Sequence, residues 1–351
     1  MATLILTGGG TAGHCIPCIA LLPFLKNDFD KIVYFGSENG IEREVVSKTD
    51  LPYYDVPCAK LRRDFSLKNL TIPVKVLSGI KKAGKIMDEI KPDAVFSKGG
   101  YVAVPVVIAA KRRNIPVISH ESDYTVGLAN KIISRYCKKV LTAFPETAKS
   151  LKNGEYCGLP LKRSLYSPCD KKEILSSFGF NGSKPVLLVT GGSQGAKIIN
   201  DVVRKALPLL TQNFDVLHVC GKGNLSGKEQ IEGYFETEFM NKMENAFKIA
   251  DVCVTRAGAN TLFELLSVKV PCVLIPLCGK ATRGDQVLNA EYFQKLGTAT
   301  VLPQSVLTPE SLTTAVSSAY AGRDNIRRAM EKHPVKDASR QISRIIADLL
   351  H

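Results

Sequence analysis

His14 closes a glycine-rich turn, Gly8-Gly9-Gly10-Thr11-Ala12-Gly13-His14, that follows the apolar run Leu4-Ile5-Leu6. A strand, a glycine turn and a helix start together aim backbone N–H groups at an anion. An imidazole there can take a proton from a hydroxyl near neutral pH, although the position equally suits a helix-start histidine with no further task. A second turn of the same kind, Gly191-Gly192-Ser193-Gln194-Gly195-Ala196, follows Val186-Leu187-Leu188-Val189. Two such units far apart in one chain predict two nucleotide-fold domains facing a shared cleft.

Other segments with chemical potential also follow strand-like runs. Ser97-Lys98-Gly99-Gly100-Tyr101 adds a further set of N–H groups beside a lysine. Two such turns in one half of the chain suit a ligand with more than one phosphate, though a tight turn that needs glycine explains each alone. His120-Glu121-Ser122-Asp123 packs an imidazole and two carboxylates into four residues; it reads as a ligand loop or as a cap for a helix around Asn130. Arg256-Ala257-Gly258-Ala259-Asn260-Thr261-Leu262-Phe263-Glu264 places a helix start where it would meet phosphate, with a carboxylate able to accept both hydroxyls of a ribose. Gly284-Asp285-Gln286 opens a later helix and could address sugar hydroxyls.

Several chemistries are disfavoured. The first turn is out of register for a dinucleotide fingerprint, and Glu38 and Glu42 are poorly placed for the acid expected about 20 residues on, so NAD(H) is not expected. No Gly-Lys-Ser/Thr follows for a Walker site. No Asp-x-Asp stands in a suitable context, so neither a metal nor another cofactor is required. Cys15 and Cys18 form a C-x-x-C beside His14, a redox or metal pair if not simply the start of a packed helix.

The elements that position these residues alternate strand and helix, the pattern of parallel α/β units. Strands are predicted at 3–7, 31–36, 93–97, 116–119, 138–142, 185–190, 215–220, 252–255, 271–276 and 299–301. Helices are predicted at 14–26, 41–48, 73–90, 103–113, 125–135, 146–151, 194–209, 228–233, 242–249, 259–267, 285–295, 309–319, 323–332 and 337–350. At 351 residues the chain exceeds one small core. We expect one domain over 1–157 and a second over 158–335, with Gly158-Leu159-Pro160-Leu161-Lys162 as the hinge. The last helix, 336–351, is expected to pack back on the first domain.

Ten cysteines scattered through apolar runs read as reduced core residues. With no basic segment before Leu4, no signal peptide is expected and the chain is read as cytoplasmic. The net charge of +14 calls for an anionic partner. Between Lys60 and Lys91 nine basic residues stand against three acidic ones, interleaved with aliphatics and a single aromatic, Phe65. That composition favours an anionic membrane surface over nucleic acid; its plainer reading is a surface helix with its apolar face in the core.

Together these motifs resemble the MurG family, the UDP-N-acetylglucosamine transferases of peptidoglycan synthesis. The resemblance runs nearly the whole chain, through GGGTAGH at 8–14, SKGGY at 97–101, HESD at 120–123, GLPLK at 158–162, GGSQGA at 191–196, RAGANTLFE at 256–264 and DQ at 285–286. It implies two Rossmann-like domains with a deep cleft, the GT-B arrangement. The implied reaction is inverting transfer of N-acetylglucosamine from UDP-GlcNAc to the C4 hydroxyl of the muramyl residue of lipid I, giving lipid II at the cytoplasmic membrane face.

The resemblance also implies roles. Gly9, Gly10, Gly99, Gly100 and Tyr101 would cradle the acceptor diphosphate, with His14 as base and Glu121 the nearest alternative. On the donor side, Glu264 would hold the ribose, Ser193 and Gln194 the diphosphate, Gln286 the sugar hydroxyls, and Met240 would lie near the uracil. The helix start Gly258, Ala259, Asn260 and Thr261, with Arg256 and Lys162, would meet the leaving-group charge. Thr11, Ala12 and Gly13 would approach the transferred sugar. Ala12 stands where many members have glycine, Lys162 where they have arginine, and Ser122-Asp123 where they have Gln-Asn. Asp123 thus brings a charge where an amide contact to the sugar is expected. The competing readings are a transferase of the same fold acting on diacylglycerol, a UDP-GlcNAc 2-epimerase, and a non-catalytic nucleotide-sugar sensor.

Overall fold

A computed structural model describes residues 2–60, 71–227, 231–279, 282–335 and 337–350. The chain divides into unit 1, Met1–Lys162 with Lys336–His351, and unit 2, Arg163–Val335.

In unit 1, β1 (Thr3–Thr7), α1 (Ala12–Leu25), β2 (Lys31–Gly36), α2 (Ile41–Val46), β3 (Tyr53–Asp55), α3 (Ile72–Ile90), β4 (Ala94–Ser97), α4 (Ala103–Lys111), β5 (Val117–Glu121), α5 (Leu128–Ser134), β6 (Lys139–Thr142), α6 (Pro145–Lys149) and β7 (Gly154–Tyr156) follow one another. The strands form one parallel sheet in the order β3-β2-β1-β4-β5-β6-β7. Successive side chains of a strand point to opposite faces. Ile5, Val33, Phe35 and Val95 therefore pack against Ile80, Ala83 and Met87 of α3 and Val106, Val107 and Ala110 of α4. Leu4, Leu6, Tyr34 and Phe96 pack on the other face against Cys15, Cys18, Leu21 and Leu25 of α1. Ala338, Ile342 and Ile346 complete that second layer from the C-terminal helix, Ser339–Ala347.

Unit 2 repeats the plan. It holds α7 (Lys171–Ser177), β8 (Val186–Thr190), α8 (Lys197–Leu210), β9 (Asp215–Val219), β10 (Tyr234–Thr237), α9 (Met243–Ile249), β11 (Val252–Thr255), α10 (Ala259–Ser267), β12 (Cys272–Leu274), α11 (Asp285–Lys295), β13 (Thr300–Val301), α12 (Pro309–Ala321) and α13 (Arg323–Lys332). Its parallel sheet runs β10-β9-β8-β11-β12-β13. Each unit is thus a Rossmann-like domain. In each, the strand order reverses beside the first strand, between β1 and β4 and between β8 and β11. The crevice beyond the carboxyl ends at such a reversal is where open α/β sheets hold ligands. The turns after those four strands are the glycine turns Gly8–His14, Lys98–Tyr101, Gly191–Ala196 and Arg256–Gly258.

The structure departs from the sequence reading in several places. The edge strands β3, β7 and β10 were not expected; each is three or four residues long and only half-buried, too short to carry an alternating pattern. α7 was not among the expected helices; it is started by Asp170, whose side chain accepts from Lys172 N (2.9 Å) and Glu173 N (3.2 Å). Of the helix expected at 228–233, residues 231–233 instead turn into β10, and 228–230 lie outside the described residues. α5 and α8 begin three residues later than expected, after Gly127 and Ala196. The 158–162 segment stays with unit 1, where Leu159 bridges to Asp337.

Of the basic amphipathic stretch at 60–91, residues 61–70 lie outside the described residues. The remainder is mostly α3, whose Val74 and Leu77 are exposed. Among the described residues no helix is long and apolar enough to cross a membrane.

Candidate active site

The first turn of unit 1 is held from beneath. The Tyr34 hydroxyl donates to Gly8 O at 2.6 Å. Glu42, fully buried, accepts from Gly10 N and Ser37 N, each at 3.0 Å, and from Ser37 Oγ. Gly10 has φ +84°, and a methyl group on it would fall 2.5 Å from the Tyr101 ring. Thr11 then starts α1 with extended backbone, and its Oγ1 lies 2.8 Å from His14 Nδ1. When Nδ1–H donates to Thr11, Nε2 carries the lone pair that a base requires.

The second turn is left-handed at both glycines, with φ +86° at Gly99 and +81° at Gly100. A methyl group on Gly100 would fall 2.5 Å from Gly9 O and 3.5 Å from His14 Cγ. One on Gly99 would collide with Asn130. The fold therefore gathers Gly9, Gly10, Gly100, Tyr101 and His14 into one locality at the sheet's reversal.

The HESD loop plays a different part. Glu121 Oε1 accepts from Asp123 N (3.0 Å), and Oε2 from Gly127 N (3.1 Å) and Asn130 Nδ2 (2.8 Å). Both oxygens of this buried carboxylate face its own loop and the start of α5. That corrects its reading as an alternative base: it organises the loop. His120 is fully buried, with Nε2 2.8 Å from Gly158 O and Nδ1 without a partner. Burial pushes its pKa well below the ordinary range and the nearby Lys98 charge adds to the fall, so the ring stays neutral.

Cys15 and Cys18 are also core groups. Burial pushes the Cys15 thiol up to about 12 and raises Cys18 as well, which leaves little thiolate for redox or metal chemistry.

In unit 2, Gly192 (φ +84°) and Gly195 (φ +73°) shape the turn after β8. A methyl group on Gly195 would collide with Cys220 O. Gly192 N donates to Thr190 Oγ1 at 3.3 Å, and Ser193 and Gln194 stand exposed on the turn. After β11, Gly258 starts α10 with no side-chain cap and no acid in the first turn. A methyl group on Gly258 would meet nothing within 4 Å. The positive end of α10, including Ala259, Asn260 and Thr261, thus opens at the sheet's reversal, as an anion site requires. Glu264 sits half-buried in the second turn.

Arg256 is 9% exposed, its Nη1 donates to Ile275 O at 3.0 Å, and burial lowers its pKa. The guanidinium ties the end of β11 to the end of β12. Gln286 Oε1 accepts from Leu277 N at 2.9 Å, fixing the amide plane. Asn289 Nδ2 donates to Ala257 O at 3.1 Å and secures the approach to Gly258. Met240 lies half-buried after β10, and Lys162, half-buried, is the last residue of unit 1 before Arg163.

Sequence reasoning missed Glu42, Tyr34 and Asn289, which hold the turns without belonging to any motif. Glu42 was considered only as the acid of a dinucleotide fingerprint, for which it is poorly placed.

Comparison with known proteins agrees with this architecture. The glycosyltransferase family 28 N-terminal domain matches residues 4–142, and its C-terminal domain matches residues 186–342. The UDP-N-acetylglucosamine--N-acetylmuramyl-(pentapeptide) pyrophosphoryl-undecaprenol N-acetylglucosamine transferase of Clostridium botulinum (strain Langeland) is 44% identical over 350 residues, covering 99% of each chain. The crystal structure of Acinetobacter baumannii MurG superposes with a TM-score of 0.76 at 25% identity, over 99% of this chain and 100% of that one. A UDP-GlcNAc 2-epimerase from Neisseria meningitidis, solved bound to UDP-GlcNAc, shares the fold at TM-score 0.66 and 14% identity, covering 100% of this chain and 99% of that one. With two glycosyltransferase domains and full-length similarity of this degree, the chain belongs to the MurG family of UDP-GlcNAc-dependent glycosyltransferases.

Proposed function

We infer that this enzyme transfers N-acetylglucosamine from UDP-GlcNAc to the C4 hydroxyl of the muramyl residue of lipid I, with inversion, to give lipid II for the cell wall. The observation that carries the reading is the full-length similarity to a transferase named for that donor and acceptor, joined to a histidine set among glycine turns at the reversal of the first sheet. The epimerase shares only the fold.

Unit 1 takes the acceptor, with its diphosphate against the turns at Gly9–Gly10 and Gly99–Gly100. His14 Nε2 accepts the C4 hydroxyl proton as that oxygen attacks the sugar's anomeric carbon from the face opposite UDP. The bond to the β-phosphate oxygen breaks, and its electron pair leaves with UDP. Unit 2 takes the donor. The N-terminus of α10 and the Gly191–Gly195 turn meet the growing negative charge, with Lys162 adding a cation. Glu264 accepts from the ribose, Gln286 reads the sugar hydroxyls, Met240 lies by the uracil, and Thr11, Ala12, Gly13 and Asp123 face the sugars. This scheme needs no metal ion or further cofactor.

The enzyme works as a peripheral protein on the cytoplasmic membrane face. Exposed Val74 and Leu77 on α3, together with exposed Lys75, Lys81 and Lys85 on the same helix, support that placement. Sedimentation with vesicles of anionic or of zwitterionic lipid tests it: the reading expects binding to the anionic ones, weakened by Val74→Asp with Leu77→Asp. Activity is tested by supplying labelled UDP-GlcNAc with lipid I, with diacylglycerol, or with no acceptor. Labelled lipid II supports the reading. Labelled diacylglycerol, or free sugar and UDP without acceptor, would overturn it.

A further inference from the structure

Lys98 is a lysine with almost no exposed surface, 1%. A buried ammonium is costly unless its surroundings compensate it, and an apolar chain of similar length would fill the same space without that cost. Its position suggests what the charge does. Lys98 N donates to Thr7 O at 2.8 Å, locking the end of β4 to the end of β1. A methyl group on Gly8 would lie 3.0 Å from Lys98 Cβ, so the stem runs directly beside the first glycine turn. Gly99, the next residue, opens the second turn. The ammonium hydrogen-bonds Ser122 Oγ in the HESD loop. Burial lowers its pKa, while the carboxylates of Glu121 and Asp123 favour the charged form.

Through its backbone, its stem and its ammonium, Lys98 thus adjoins the first glycine turn, leads into the second and reaches the HESD loop. We propose that Lys98 is a positioning residue for the acceptor: anchored on Ser122, it holds the Gly8–Gly10 and Gly99–Gly100 turns at the spacing that receives a diphosphate, and supplies positive charge behind them. The proposal rests on the functional reading above. It accounts for Ser122, whose small hydroxyl meets the ammonium where a longer amide is usual in the family.

The test compares the parent with Lys98→Met, which keeps length and volume, and Ser122→Ala, which removes only the anchor. In transfer assays, Lys98→Met is expected to raise KM for lipid I about tenfold, the size of one charge-assisted contact, and to leave KM for UDP-GlcNAc within twofold. Ser122→Ala moves the same constant by less. A lysine that only supports the fold would lower thermal stability and alter both constants alike, which would overturn the proposal. A second readout does not depend on the acceptor's identity. Inorganic pyrophosphate is titrated calorimetrically into enzyme already saturated with UDP, so that the donor site is filled. Binding to the parent that weakens about tenfold in Lys98→Met supports the proposal. Equal binding to both, or none to the parent, overturns it even if lipid I proves to be the acceptor. Weakened pyrophosphate binding in an enzyme that does not use lipid I would overturn only the acceptor's identity.

Discussion

Thr11 Oγ1 lies 2.8 Å from His14 Nδ1 across the first turn of α1. The base role depends on which of the two donates. Only the tautomer with hydrogen on Nδ1 leaves Nε2 able to accept a proton, and Thr11 must then act as acceptor. Thr11→Val removes that acceptor at nearly constant volume. We expect kcat to fall about tenfold, one hydrogen bond's worth, with KM values little changed and Thr11→Ser restoring most of the loss. Steady-state kinetics of the three proteins decides it; unchanged kcat in Thr11→Val would contradict the orienting role.

Gly100 tests the convergence of the two turns. Its φ of +81° and the 2.5 Å approach of a methyl group to Gly9 O leave no room for a side chain. Gly100→Ala is expected to reduce kcat/KM for lipid I by about a hundredfold, since small displacements at a reacting centre carry that cost. UDP binding, measured by calorimetry, should be unaffected because the donor is assigned to unit 2. A fall in UDP affinity would count against that division of labour.

Gly258 separates stability from binding. An aspartate there is a good helix N-cap and should stabilise α10 by up to about 1 kcal/mol. The same carboxylate would stand where the donor's phosphates are assigned and repel them. Gly258→Asp should therefore raise KM for UDP-GlcNAc at least tenfold while the melting temperature holds or rises. Undiminished donor affinity would remove the phosphates from this helix start.

Acid should weaken unit 2 through a buried pair. His218 is fully buried, with Nε2 3.1 Å from Asn200 Oδ1 and Nδ1 2.9 Å from the Tyr234 hydroxyl. Burial pushes its pKa from 6.5 down to about 4, against the pull of Glu236. The unfolded chain therefore takes up this proton first, and the associated stability is complete above pH 6.5 and declines as pH falls toward 4. For Glu236, burial alone would raise the pKa from 4.5, but hydrogen bonds from Ser226, Arg204 and Tyr234 outweigh it and hold the group at about 2. Its contribution is complete above pH 4.5 and declines as pH falls toward 2. Melting temperatures should drop continuously from pH 6.5 downward, and His218→Asn should flatten the upper part of that slope. A melting temperature that rises on acidification through this range would refute the assignment.

The β-strands at the sheet centres were legible in the sequence because strands buried on both faces are short, continuous apolar runs: Leu4-Ile5-Leu6 and Val186–Val189 fall within β1 and β8. Edge strands such as Tyr53–Asp55 were not, since half-exposed residues carry no such run. The turns at Gly10, Gly99–Gly100 and Gly192–Gly195 were legible because they need left-handed backbone. Their mutual approach was not, because the contact between Gly100 and Gly9 depends on strand order, which no local pattern encodes. The same reason hid Glu42 beneath the first turn. It also hid the bond from Arg256 to Ile275 O, which joins two neighbouring strand ends.

The most direct test of the central claim is transfer of labelled N-acetylglucosamine from UDP-GlcNAc to lipid I in detergent by the parent, His14→Ala and Glu264→Ala. The account predicts labelled lipid II from the parent, a loss of about 10²–10⁴-fold in kcat for His14→Ala as for a positioned base, and a raised KM for UDP-GlcNAc in Glu264→Ala. Full turnover by His14→Ala, or no lipid-linked product from the parent, would contradict it.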